Sequence, residues 1–143
     1  MNHNEITMVA PCGINCGSCG AHMVKENTPG MDRLLEMGAK KESLPCTGCR
    51  AVKGKCPLIG NACETYACIT GKGFDFCYEC PEFPCAKLNP AADRSNVLPH
   101  NTKVFSLCFI QRHGLAEFLV KEPEIKQRYY QGKMEIGKGP QLK

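Results

Sequence analysis

The chain has 143 residues, 43% of them hydrophobic and 22% charged, enough for one modest core and too few for two well-filled ones. Its twelve cysteines, about 8% of the chain, reach the level at which metal or disulfide staples begin to supplement a core. The formal charge of +4 counts every thiol as neutral; four thiolates around a divalent ion carry about −2, so two filled sites would bring the total to about zero, and the basic balance is weak evidence for nucleic acid.

The opening "MNHNEITMVAPCG" has no basic segment followed by an apolar run, so no signal peptide is legible. No stretch approaches the roughly eighteen consecutive apolar residues of a membrane span. The expected compartment is the cytosol, where clustered cysteines bind metal more often than they form disulfides. "PCGINCGSCG" then places Cys12, Cys16 and Cys19 in a C-x3-C-x2-C pattern. Radical-SAM enzymes hold a cluster with that spacing. Their chemistry needs a barrel of alternating strands and helices that this chain is too short to build, and no glycine-rich strand follows the motif. The three thiols still need a fourth ligand. His22, three residues past Cys19, would share its side of a helix, although a surface or capping role explains it more simply. Cys108 is the other candidate, but beside Phe105 and Phe109 it reads as an ordinary buried thiol.

"GSCGAHMVKEN" is compatible with a helix that stops at "NTPG". "MDRLLEMGAKKES" reads as an amphipathic helix with Met31, Leu34, Leu35 and Gly38 facing inward, and with Lys40 and Lys41 suiting the negative end of its dipole. From Leu44 to Pro90 the character changes, with eight cysteines between Cys46 and Cys85 interleaved with Gly and Pro. "NACETYACITG" is the helical part of this segment. Asn61 is its expected N-cap and Gly71 its expected C′ residue, with Cys63 or Cys68 at the start of the helix and the other within it. A short helix is expected after Pro84. Any β structure should be short ribbons around metal.

Past Asp93, "SNVLPHNTKVFSLCFIQRHG" predicts a helix capped by Asn101 or Thr102, with Val104, Phe105, Cys108 and Phe109 as its apolar face and Gly114 at its end. His113 suits its C-terminus. "LAEFLV" continues helically to Pro123, which is expected to begin a separate segment, "EIKQRYY". From Lys121 onward six Lys/Arg face three Glu, which reads as a solvated end. The expected fold is a small α-rich domain with short β ribbons, in which helices flank an irregular, metal-stabilised cysteine-rich centre. Its bounds are 1–131, divided into 12–43, 44–90 and 91–131, followed by a flexible tail over 132–143.

Cys46-Thr-Gly-Cys49 and Cys77-Tyr-Glu-Cys80 are C-x2-C knuckles, whose two sulfurs can both reach one ion at about 2.3 Å. Twenty-seven residues lie between them, more than a simple zinc ribbon uses, so Cys56, Cys63 and Cys68 can enter the same or a neighbouring site. Prolines beside Cys80 and Cys85 stiffen that stretch before metal arrives. The eight central cysteines suffice for two four-thiolate sites. Phe74, Phe76, Tyr78 and Phe83 around the second knuckle read as a small core that keeps water from metal. A base-stacking platform would want interleaved Lys or Arg, and none stands between Phe74 and Phe83.

The series "CGINCGSC", "CTGCR", "CETYACITGKGFDFCYECPEFPCAKL" and "HGLAEFL" resembles the DUF3795 proteins, small bacterial and archaeal cysteine-rich proteins of uncharacterised function. The resemblance covers Cys12 to Leu119. It implies metal binding, with zinc expected, through Cys12, Cys16, Cys19, Cys46, Cys49, Cys63, Cys68, Cys77, Cys80 and Cys85. Cys56 and Cys108 lie outside the pattern.

All-thiolate sites with little histidine belong to structural zinc or to iron–sulfur clusters. The ferredoxin run C-x2-C-x2-C-x3-C is absent, which favours zinc in two or three sites over a 4Fe-4S cluster. Zinc in the middle with a cluster at the N-terminus is physically allowed. No nucleophile elbow or H-E-x-x-H pattern occurs, so no catalytic residues are legible and the reading leans away from an enzyme. The first expectation is a cytosolic zinc-binding interaction or regulatory module with an unidentified protein partner. The alternative is an iron–sulfur redox protein of anaerobic metabolism. A nucleic-acid-binding knuckle protein is the weaker third reading.

Overall fold

The computed structural model describes residues 6, 8–60, 62–89 and 101–141. Five α-helices and one pair of strands stand out among them. The helices are α1 (Gly20–Met23), α2 (Pro29–Glu36), α3 (Glu64–Gly71), α4 (Lys103–His113) and α5 (Leu115–Gln131), and the strands are β1 (Lys133–Glu135) and β2 (Gly139–Gln141). Short 3-10 turns at Cys16–Ser18, Lys41–Ser43, Cys77–Glu79 and Ala86–Leu88 punctuate the cysteine-rich part. The α-rich expectation holds in its coarse form. No described helix is long and apolar enough to cross a membrane.

Local chemistry explains most boundaries. Pro29 opens α2 at a position where its missing N–H costs nothing. The Thr28 hydroxyl accepts from the Met31 N–H, and Gly38 takes the left-handed backbone (φ +94°) just past the helix. Met31 and Leu34 are buried as expected, whereas Leu35 is exposed. The helix is shorter than its periodicity suggests, so Lys40 and Lys41 fall beyond its last turn. Cys63 stands immediately before α3 and Cys68 within it. Gly71 is its last helical residue, and Asn61 lies outside the described residues. The stretch after Pro84 forms only the 3-10 turn Ala86–Leu88.

Three expectations fail for physical reasons. The buried face of α4 is Lys103, Ser106, Leu107 and Ile110, while Phe105 is 55% exposed and Val104 37%. This helix lies against the backbone of the Cys12 loop. A Cβ on Gly13 would stand 3.0 Å from Leu107 Cγ and 3.1 Å from the Lys103 carbonyl oxygen. Close approach selects small and adaptable side chains there, and Phe105 falls to the other side, while Phe109 packs half-buried on the core. Pro123 does not break the second C-terminal helix but sits inside α5. Packing on α4 offsets the hydrogen bond that Pro123 cannot donate, a tertiary effect that local propensity does not record. The strands are not ribbons around the cysteines; β1 and β2 form an antiparallel pair in 133–141, within the stretch taken for a flexible tail. Near the cysteines there is one isolated bridge, Val9 with Asn15.

Gly114 (φ +87°) separates α4 from α5, and His113 closes α4, both as expected. The main core joins Val9, Ile69, Phe76, Cys77, Leu88, Leu107, Ile110, Leu115 and Phe118. Phe74, Tyr78 and Phe83 pack on it, consistent with the small-core reading of that aromatic group. A second cluster of Ala21, Leu34, Ala39 and Cys46 holds α1 and α2 to the first knuckle. Full burial of side chains such as Phe118 and Leu107 stabilises by roughly 1.5–3 kcal/mol each.

Candidate metal centres

All twelve cysteines are free thiols, and eleven of them gather at two hollows. The larger, a cavity of about 410 Å³, is lined by Cys12, Cys16, Cys19, Cys46, Cys49, Cys56 and Cys63 together with His22. The smaller, about 90 Å³, is lined by Cys68, Cys77, Cys80 and Cys85. Cys108 lines neither. The two knuckles therefore serve different hollows, and Cys46, Cys49, Cys56 and Cys63 join the N-terminal three.

The loop from Cys12 to Cys19 is shaped by its own backbone. The Gly13 N–H donates to the Ala10 carbonyl (2.9 Å), the Ala10 N–H to the Ile14 carbonyl (2.8 Å) and the Cys19 N–H to the Cys16 carbonyl (3.1 Å). The Asn15 side-chain oxygen accepts from the Gly17 N–H at 3.0 Å. Helix α5 grips the loop from outside: Ser18 Oγ donates to Glu122 Oε1 (2.8 Å), and Lys126 Nζ donates to the Ser18 carbonyl (2.5 Å). These partners are more than a hundred residues apart in sequence, and Glu122 is only 8% exposed. No local signal in the chain announces this clamp.

At the first knuckle, Gly48 adopts φ +106°, and its N–H points at Cys46 Sγ (3.5 Å) while the Cys49 N–H points at Cys16 Sγ (3.3 Å). Amide donors aimed at sulfur are what a thiolate ligand needs. The Cys46 N–H donates to the Ala21 carbonyl (2.7 Å), and His22 Nδ1 lies 2.6 Å from the Cys46 carbonyl oxygen. Arg50 secures the far side. Its Nε donates to the Val9 carbonyl (2.8 Å), its Nη2 to the Asp75 carbonyl (2.7 Å), and its guanidinium lies 5.0 Å from the Phe76 ring centre.

The smaller hollow uses one side of α3 and the turn that follows. The Cys80 N–H donates to the Cys77 carbonyl (3.1 Å) and the Phe83 N–H to the Cys80 carbonyl (3.0 Å). Glu79 closes the knuckle by accepting from the Phe76 N–H at 2.6 Å and the Asp75 N–H at 2.9 Å. Lys72 pairs with Glu82 and brings Nζ to 3.4 Å from Cys80 Sγ. The Cys77 N–H donates to the Pro11 carbonyl (2.9 Å), which ties the second knuckle to the first cysteine loop.

Burial dominates the acid–base behaviour. It pushes the Cys16 thiol up to about 11 and the Cys77 thiol up to about 12, and it raises Cys12, Cys49 and Cys56 as well. Neighbouring thiols reinforce the shift. Cys49 feels Cys12, Cys16, Cys63 and Cys56; Cys16 feels Cys12, Cys19 and Cys46; Cys56 feels Cys19 and Cys46; Cys77 feels Cys12, Cys85, Cys68 and Cys80. Thiols so disposed to stay protonated are poor free nucleophiles and become thiolates when a cation compensates the charge. Among the described residues no three His, Cys, Asp or Glu side chains close tightly enough to hold a single ion. They stand around hollows.

A family model described as "Protein of unknown function (DUF3795)" matches residues 8–90. That span contains every cysteine of both hollows and stops before "HGLAEFL". No curated protein and no solved structure matches the chain.

Proposed function

The chain belongs to the DUF3795 family, and on that premise we propose that it is a redox protein whose larger cavity holds iron–sulfur clusters and whose four-cysteine group holds a structural zinc ion. The observation that carries this reading is the cavity of about 410 Å³ with seven cysteines on its walls. A tetrahedral ion takes four thiolates that close on it and leave no space between them. Seven thiols spaced around a hollow suit cuboidal clusters, whose own bulk separates their ligands. The amide donors at Cys16 and Cys46 and the apolar walls supplied by Ile14, Leu58, Ile59, Phe118 and Ile125 are the surroundings that tune such clusters. When bound, clusters supply one-electron transfer; the chain's own residues hold them, exclude water and set their potential.

The smaller hollow favours zinc. It offers four thiols, the number a tetrahedral zinc ion takes, and at about 90 Å³ it has far less room than the larger cavity. The Lys72 ammonium beside Cys80 offsets part of the charge that four thiolates bring. A reducing, cytosolic setting fits twelve free thiols.

The test is anaerobic purification followed by iron, zinc and acid-labile sulfide analysis with the visible and EPR spectra. The expected outcome is a brown protein containing iron, sulfide and about one zinc per chain. A colourless protein filled with zinc and free of sulfide would replace the redox reading with that of a zinc-folded interaction module.

A further inference from the structure

We propose that His22 is a metal ligand through Nε2, joining Cys19 and Cys46 in one of the centres of the larger cavity. The inference rests on the reading that the cavity binds metal, and adds an assignment which that reading leaves open. Seven cysteines make one complete set of four and one set of three.

Geometry groups part of them. The Cys49 N–H donates to Cys16 Sγ at 3.3 Å, which pairs those two. Cys19, His22 and Cys46 are drawn together by the backbone. Cys19 directly precedes α1, and the His22 N–H donates to its carbonyl at 3.0 Å. Cys46 is held to the same turn from both sides, by its N–H on the Ala21 carbonyl and by its carbonyl on the His22 ring.

The ring contact fixes the tautomer. A carbonyl oxygen has no proton to give, so at 2.6 Å His22 Nδ1 must be the donor. In the neutral ring the lone pair is then on Nε2. A ring nitrogen held by a backbone carbonyl while its opposite nitrogen binds metal is the usual arrangement of a ligating histidine. His22 lines the cavity together with Cys19 and Cys46. The C-x2-H spacing from Cys19 brings both donors to one side of a helical turn. Imidazole serves zinc and iron alike, so the assignment does not depend on which metal fills the set.

The test compares wild type, His22→Ala and His22→Cys, purified anaerobically, by metal content, X-ray absorption at the metal edge and pulsed EPR for nitrogen coupling. Wild type should show a directly bound nitrogen. His22→Ala should lose about half of the cavity's metal. His22→Cys should recover the metal while losing the nitrogen signal. Circular dichroism on His22→Cys separates ligand loss from misfolding. Wild-type protein containing no metal would overturn both readings. Metal-filled wild type without a nitrogen signal, or His22→Ala with unchanged metal and spectra, would overturn the histidine assignment alone.

Discussion

The four-cysteine group is drawn from one short stretch of chain, residues 68–85. The seven-cysteine cavity instead gathers thiols from residues 12 to 63 and takes part of its wall from α4 and α5. A local group needs little loop closure to gather its thiols. The cavity depends on partners that arrive from the far end of the chain, among them Glu122 and Lys126 on Ser18. The same chemical element, a cysteine knuckle, thus draws its fellow thiols from nearby in one place and from across the chain in the other.

The largest expected effects separate the two regions outright. Cys49→Ser should abolish most of the visible chromophore and leave zinc in place, and Cys80→Ser should do the reverse, read by metal analysis and absorption. Cys108→Ser, on neither hollow, should change neither. Metal lost from both regions in both variants would show a single cooperative unit.

Phe118→Ala comes next. Phe118 is fully buried in the core and lines the larger cavity. Its truncation should cost about 3–5 kcal/mol in denaturant titration, and iron should fall before zinc. Gly13→Ala should cost about 1–3 kcal/mol, because φ +87° and the 3.0 Å approach to Leu107 both oppose a Cβ. That loss too should fall on the cavity side.

The smallest effect is one of pH and concerns the metal-free, reduced chain. Burial raises the Cys16 and Cys77 thiols to about 11 and 12, so the folded state holds their protons longer than the unfolded state does. The stability they contribute is complete below about pH 9 and is lost as pH rises toward 12. Urea midpoints measured across that range should fall for the metal-free chain. The metal-loaded protein, whose thiolates no longer titrate, should lack this slope.

Much of the helical frame is legible in the chain because its signals are local: the break at "NTPG" ahead of Met31 in α2, Gly114 between α4 and α5, and Cys63 and Cys68 astride the start of α3. The knuckles and the C-x3-C-x2-C loop are equally plain as motifs. Their partition is not, since spacing alone cannot tell that Cys46 and Cys77 face different hollows. The buried face of α4 is hidden for a related reason. Its choice of Lys103 and Ser106 over Phe105 follows from how closely the Gly13 backbone approaches, a fact no hydrophobic period records. Cys56 lies outside the pattern that the resemblance implies, yet it lines the same cavity as Cys19 and Cys46.

Arg50 reaches Val9, forty-one residues before it, and Asp75, twenty-five residues after it, through two nitrogens of one planar group. A lysine would bring one nitrogen to the two carbonyls, where the guanidinium brings two and sets its centre over the Phe76 ring. A single side chain therefore latches two loops of the chain, and the ordering of each lowers the entropy still to be lost in closing the other. The first cysteine loop and the approach to the second knuckle are bound to reach their final positions together.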